Sequence, residues 1–197
     1  MATIVEHDKR RQEILQRALD VFIDEGYEDV TFQKIADRCG ITRTTLYIYF
    51  KNKREIFLWS IKQLTETLEV QLLEVVKDTS LSSEAALKKI IRIIIDVCQE
   101  NPKLFTVLLS YLIQLQKSGG DPEERVRRRV IKIRHIICIV LIRGMKSGEV
   151  KKVNLKATTE MLYSVFESAI FKIAVLNKTE ISDMIDVADV AIENLMA

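Results

Sequence analysis

On one face between Arg43 and Ile48 the chain sets one guanidinium (Arg43), two hydroxyls (Thr44, Tyr47) and one aliphatic side chain (Ile48) at the start of a short helical pattern. With Leu46 turned to a core on a 3.6-residue wheel, Phe50 falls beside it. Thr44, Tyr47 and Ile48 then lie on the far side, with Arg43 on the border. These groups suit base edges, phosphates and a thymine methyl rather than any bond-making step. A plain helical hairpin with a solvated outer face would show the same spacing.

Covalent chemistry finds nothing to start from. His7 sits in a polar N-terminal stretch and His135 in an Ile-rich helical pattern. There is no GxSxG, Walker, Rossmann or HExxH pattern, and no carboxylate pair stands apart from the solvated faces. Cys39, Cys98 and Cys138 are scattered, with no CxxC and no nearby His for a zinc site. Reduced, buried thiols and a cytoplasmic protein are expected, with no enzyme activity, cofactor or metal.

The reading segment needs elements to hold it. Phe32, Ile35 and Ala36 recur at helical spacing until Gly40, which ends a helix at no steric cost. Thr42 is placed to cap a second helix, and Ile41 with Leu46 forms a hydrophobic staple. Two helices joined by a tight Gly-containing turn make a helix-turn-helix. An earlier helix from Lys9 to about Glu25, with Ile14, Leu15, Ala18, Val21 and Phe22 on one face, would brace it through Phe22 against Ile35 and Leu46. Thr31 is placed to cap the hairpin's first helix.

These residues resemble the tetracycline-repressor (TetR) family. The resemblance runs from Ile14 to Ile56. It rests on Ile14-Leu15, Ala18, Val21-Phe22, Gly26-Tyr27, Thr31, Ile35-Ala36, Gly40-Ile41-Thr42, Leu46-Tyr47, Phe50, Lys53 and Glu55-Ile56. Thr44 and Tyr49 depart from a frequent Gly and a frequent His. The resemblance implies a sequence-specific regulator, a repressor released from double-stranded operator DNA by a small hydrophobic effector. It implies base or groove contacts from Gln33, Arg43, Thr44 and Tyr47, and phosphate contacts from Thr31, Thr42, Thr45, Tyr49, Lys51 and Lys53. A TetR-like DNA-binding protein with a partner-binding or structural role and no effector is the alternative.

Charge agrees with the first of these features. The whole chain is only +2, but residues 31–54 hold Lys34, Arg38, Arg43, Lys51, Lys53 and Arg54 against Asp37 alone. Positive charge on one small face is the footprint of a phosphate-binding surface. No signal peptide is expected in MATIVEHDKRR, and the longest apolar run, Ile136–Ile142, falls far short of the ~18 residues a membrane span needs.

The fold expected is all-α: a three-helix head over 1–56 and a larger helical effector-binding and dimerisation body over 57–197, about nine helices in all. Asn52 with Glu55 reads as a capping box opening a connector to about Lys77, roughly 37 Å long. Ser82, Asn101, Asn154 and Ser182 are expected as caps, and Pro122 as the start of a long helix closed by Gly148. Leu64, Leu68, Ile94, Phe105, Leu108, Leu112 and Ile133 lie on apolar faces, with Tyr111, Arg134 and His135 as the few polar groups of an effector pocket. Simple core packing would give the same pattern. The helix from Pro122 carries Arg125, Arg127, Arg128, Arg129, Lys132 and Arg134. It admits three readings: a solvated face, a contact with the acidic last helix, or an arginine turned inward to an anionic head group. By family resemblance the last two helices pair in a homodimer, through Met161, Val165, Ser168, Ala169, Met184, Ala188 and Ile192.

Overall fold

A computed structural model describes residues 2–178 and 180–197, without the side chains of residues 2–5 and Leu64. Among these residues the chain forms nine helices: α1 (Ala2–Glu25), α2 (Phe32–Cys39), α3 (Arg43–Tyr49), α4 (Lys53–Lys77), α5 (Ser83–Glu100), α6 (Pro102–Lys117), α7 (Pro122–Ser147), α8 (Leu155–Ala174) and α9 (Asp183–Glu193). One isolated antiparallel bridge, Val150 with Met196, adds to the all-α class.

The caps explain most of the boundaries. Side-chain oxygens of Thr31, Thr42, Asn52, Ser82 and Asn154 accept from the N–H groups of Lys34, Thr45, Glu55, Ala85 and Ala157 at 2.9–3.2 Å. The Glu55 carboxylate accepts from the Lys51 N–H at 2.6 Å, one residue earlier than a reciprocal capping box requires. Gly40 closes α2 at φ 66°, where a Cβ would be strained.

Three expectations shift. α1 begins at Ala2, not near Lys9. Asn101 does not cap α6: its amide donates back to the Val97 carbonyl at 2.9 Å, serving the end of α5. Ser182 sits at helical φ/ψ, so its hydroxyl reaches the Glu180 carboxylate at 2.9 Å and not the first turn of α9.

Two cores result. In the head, Phe22, Ile35, Leu46, Phe50 and Phe57 are essentially solvent-free, and the expected packing of Phe22 with Ile35 and Leu46 lies inside that cluster. The head core runs past residue 56, through Phe57, Ile61 and the Ser60 hydroxyl, which donates to the Leu15 carbonyl at 2.8 Å. It also takes in Leu104, Val107 and Tyr111 of α6. In the body, α5 is central: Leu87, Ile90, Ile94 and Ile95 are buried among α4, α7, α8 and α9. The connector α4 therefore belongs to both cores, with Phe57 and Ile61 in one and Leu72 and Val75 in the other. Gly144 permits a close approach in the body, since a Cβ there would fall 2.4 Å from Val150 and 2.8 Å from Ser83.

Candidate nucleic-acid interface

The head presents α3 on a fixed base. Leu46 is fully buried beneath it, and Phe50 at its end is 1 % exposed. Arg11 of α1 lies over the rings of Phe50 (4.9 Å) and Trp59 (4.2 Å), tying α1, α3 and α4 together. Phe32 of α2 packs on the ring of Tyr47 at 4.5 Å. The outer face then carries Arg43, Thr44, Tyr47 and Ile48, all exposed, with Ile48 70 % open. Arg43 donates to the Tyr47 hydroxyl at 3.1 Å, which holds both side chains outward as one unit. Chemically this is a short surface with a planar cation, hydroxyls and a bare aliphatic group, which suits base edges in a major groove.

The other expected contacts surround it. Gln33 is exposed on α2 and donates to Asp37 at 2.7 Å. Thr31 and Thr42 act as caps, and the Thr42 and Thr45 hydroxyls share a hydrogen bond of 2.8 Å. Tyr49 is half-buried and stacks on His7 at 4.6 Å, so α1's early turns flank the reading helix. Sequence reasoning missed this contact and Arg11's role, because both depend on α1 crossing the hairpin. Lys51 is exposed.

Lys53 is different. Its ammonium donates to the carbonyls of Tyr27 (2.9 Å), Glu28 (2.8 Å) and Val30 (3.0 Å) and lies 5.0 Å over the Tyr27 ring. An ammonium has three donors, and all three are engaged within the head. Burial pushes its pKa below the usual lysine value, against the opposing pull of Glu28 and Asp29. The expectation that Lys53 meets a phosphate is corrected: it fastens the loop between α1 and α2. Lys34 and Arg38 are also paired, with Glu25 (2.5 Å) and Asp24 (3.1 Å). The net positive charge of the hairpin is thus concentrated on Arg43, Lys51 and Arg54.

Residues 14–58 match the model of the bacterial regulatory proteins, tetR family. The head of the chain, residues 14–58, therefore carries the tetR-family domain. It is 22 % identical over 159 residues to a fatty acid metabolism regulator protein of Bacillus subtilis, covering 80 % of each chain. It is 36 % identical over 61 residues to the transcriptional activator FasR of Mycolicibacterium smegmatis, covering 31 % of this chain and 28 % of that one. In fold it is similar to a TetR transcription regulator of Haloarcula marismortui, with a TM-score of 0.86 and 22 % identity over 96 % of this chain and all of the other. It is similar also to FadR of Bacillus subtilis in complex with stearoyl-CoA, with a TM-score of 0.74 and 21 % identity over 94 % and 97 % of the two chains.

In this TetR-type body the expected pocket residues divide between the two cores. Ile94 and Phe105 are buried in the body core, with Leu68, Leu108 and Ile133 half-buried against it. Tyr111 and Leu112 belong to the head core, where Tyr111 packs on Tyr27 (4.8 Å) and Phe57 (5.0 Å). Arg134 is ion-paired to Glu160 at 2.6 Å and lies over the Tyr163 ring, and His135 is exposed. Leu64 lies outside the described side chains. Tyr111, Leu112 and His135 are therefore not brought together with the others, because the α6 face that carries Tyr111 turns to the head and His135 turns to solvent.

The expected dimer residues separate in the same way. Met161 and Ser168 are exposed, but Val165, Ala169, Met184, Ala188 and Ile192 are 0–6 % exposed and pack inside their own protomer. This corrects the expected face. The open stripe on α8 runs one helical step round, through Met161, Ser164, Ser168, Phe171 and Val175, and Val187 and Val190 are likewise exposed on α9. The alternating steps of three and four along α8 are the periodicity of a helix–helix seam. Among the described residues the acidic residues of α9 form no ion pair with α7. Glu193 and Asp189 face Lys88 (2.7 Å) and Arg92 (4.0 Å) of α5, and Asp183 pairs with Lys172 of α8.

Proposed function

We propose that this TetR-family regulator is a dimeric repressor that reads a near-palindromic operator with α3 and leaves it when an acyl-chain effector binds the body. The observation that carries the reading is the outward face of α3, where Arg43, Thr44, Tyr47 and Ile48 stand exposed on a solvent-free base. Gln33, Arg43, Thr44 and Tyr47 take the base or groove contacts, and Thr31, Thr42, Thr45, Tyr49 and Lys51 the phosphates. One short helix reads too little sequence, so two heads are needed, and half-sites about one helical turn apart follow. The open stripe on α8 and α9 supplies the pairing surface. An acyl-chain effector is supported by the likeness to the fatty acid metabolism regulator and to FadR, whose structure holds stearoyl-CoA. The boundary between head and body near residue 56 stands as part of this reading, with α4 as the mechanical link.

The test begins with selection of a bound site from random duplex DNA. On that site Arg43→Ala is expected to cost about 1–3 kcal/mol and to relax the base preference at one position in each half-site. Unchanged affinity and unchanged preference would remove Arg43 from the reading. Titrating oleoyl-CoA into the complex, followed by fluorescence anisotropy of the labelled site, is expected to release the DNA. Linkage requires that ligand to bind the free dimer more tightly than the DNA-bound one. Equal affinity for both states would overturn the repressor-release mechanism.

A further inference from the structure

The arginines of α7 are not alike. Arg127 and Arg128 are exposed, whereas Arg125 and Arg129, one turn apart on α7, are only partly exposed, and Arg129 reaches α4. Arg129 donates from Nε to the Thr65 hydroxyl (3.2 Å) and from Nη1 to the Arg125 carbonyl (3.4 Å). Among the described residues no carboxylate lies within 4.0 Å of either guanidinium, although Glu66 sits close enough to oppose the effect of burial on Arg129. Desolvation lowers the Arg129 pKa from its ordinary value. The Nε of Arg125 is buried with no hydrogen-bond partner.

Two partly desolvated cations side by side, with no carboxylate in ion-pair contact, destabilise a fold that gains nothing from them. Their neighbours Lys132 and Arg134 do have acids, Glu69 at 2.5 Å and Glu160 at 2.6 Å. One turn further along, the two helices present Leu68 and Ile133, which are only half-buried, with Leu108 of α6 beside the same core. A charged, hydrogen-bonding end thus adjoins an apolar strip.

We infer that the seam between α4 and α7 binds an anionic amphiphile, its oxyanion held by Arg125, Arg129 and Thr65 and its chain lying along Leu68, Ile133 and Leu108. The site rests on the effector-responsive reading and deepens it, by requiring an acid where that reading requires only an apolar chain. Guanidinium forks match carboxylate and phosphate alike. The oxyanion is therefore either the terminal carboxylate of a free fatty acid or a phosphate of an acyl-CoA.

Isothermal titration of the full-length protein separates these cases, with oleate, oleoyl-CoA, coenzyme A and methyl oleate as probes. Arg129→Met and Arg125→Gln are each expected to weaken the bound anionic probe by about tenfold, the scale of one charge-assisted hydrogen bond. Arg128→Gln on the exposed face should leave it within about twofold, since an exposed cation contributes little. Oleate without methyl oleate marks a carboxylate site, and oleoyl-CoA without oleate marks a phosphate site. Unliganded Arg129→Met is expected to melt no lower than wild type, a result that a purely structural arginine would not give. The inference is overturned if neither anionic probe binds wild type, or if Arg129→Met and Arg125→Gln bind as wild type does. It is overturned also if Arg129→Met melts below wild type. Release of DNA by an uncharged apolar compound alone would overturn this site and leave the effector-responsive reading standing.

Discussion

Phe171→Glu combined with Val190→Glu is expected to leave the protein monomeric at micromolar concentration and to weaken operator binding on the order of 100-fold, as loss of bivalence does. Both side chains are more than half exposed, at 52 % and 60 %, so the substitutions cost the protomer little. In a paired α8–α9 face the same carboxylates would be desolvated opposite their own symmetry mates, because a two-fold interface sets the same patch against itself. The obvious alternative substitutions, Val165→Glu and Ala169→Glu, would put charge into sites 6 % and 0 % exposed and unfold the protomer. Sedimentation equilibrium reads the outcome, with helical circular dichroism to confirm that the double variant is folded. A folded double variant that still sediments as a dimer would move the interface elsewhere.

Lys53→Met is expected to destabilise the head by about 2–3 kcal/mol, which is the scale of losing charge-assisted bonds to carbonyls that water can only partly replace. Three carbonyls, those of Tyr27, Glu28 and Val30, lose their common donor, and the Tyr27 ring loses its cation. Val30 and Tyr27 are themselves buried, so the loop between α1 and α2 loosens together with the base of the hairpin. Urea denaturation followed by circular dichroism measures the loss. At temperatures where the variant is folded, the salt dependence of operator affinity should match wild type. Unchanged stability with a salt slope reduced by about 1 would return Lys53 to the phosphate contacts.

The head was legible in the sequence because its information is local. Thr31, Gly40, Thr42 and Asn52 act on N–H and C=O groups within four residues, and the apolar spacing of Phe22, Ile35, Leu46 and Phe50 places them on one side of their own helices. The outward set of Arg43, Thr44, Tyr47 and Ile48 follows from the same wheel. Two caps misread, Asn101 and Ser182, mark the limit of that reasoning: the backbone there adopts angles that aim the side chain away from the helix it precedes.

Long-range contact decided the rest. Lys53 has the charge of a phosphate ligand, and only the return of residues 27–30 to the start of α4 gives its ammonium three carbonyls. Tyr111 has the character of a pocket residue, but α6 lies against the head and carries it there. On α8 and α9 apolar residues cover more than one face, so periodicity alone could not say which stripe meets α5 and which stays open. The arginines of α7 share one composition and divide between solvent, ion pairs and the α4 seam according to which helix packs beside each. The sequence by itself determined which helices form, where most of them begin, and the reading face of α3, since hydrogen bonds and wheel positions within a few residues suffice. Only the tertiary structure decided which side of each body helix faces a neighbour, because burial depends on partners distant in the chain.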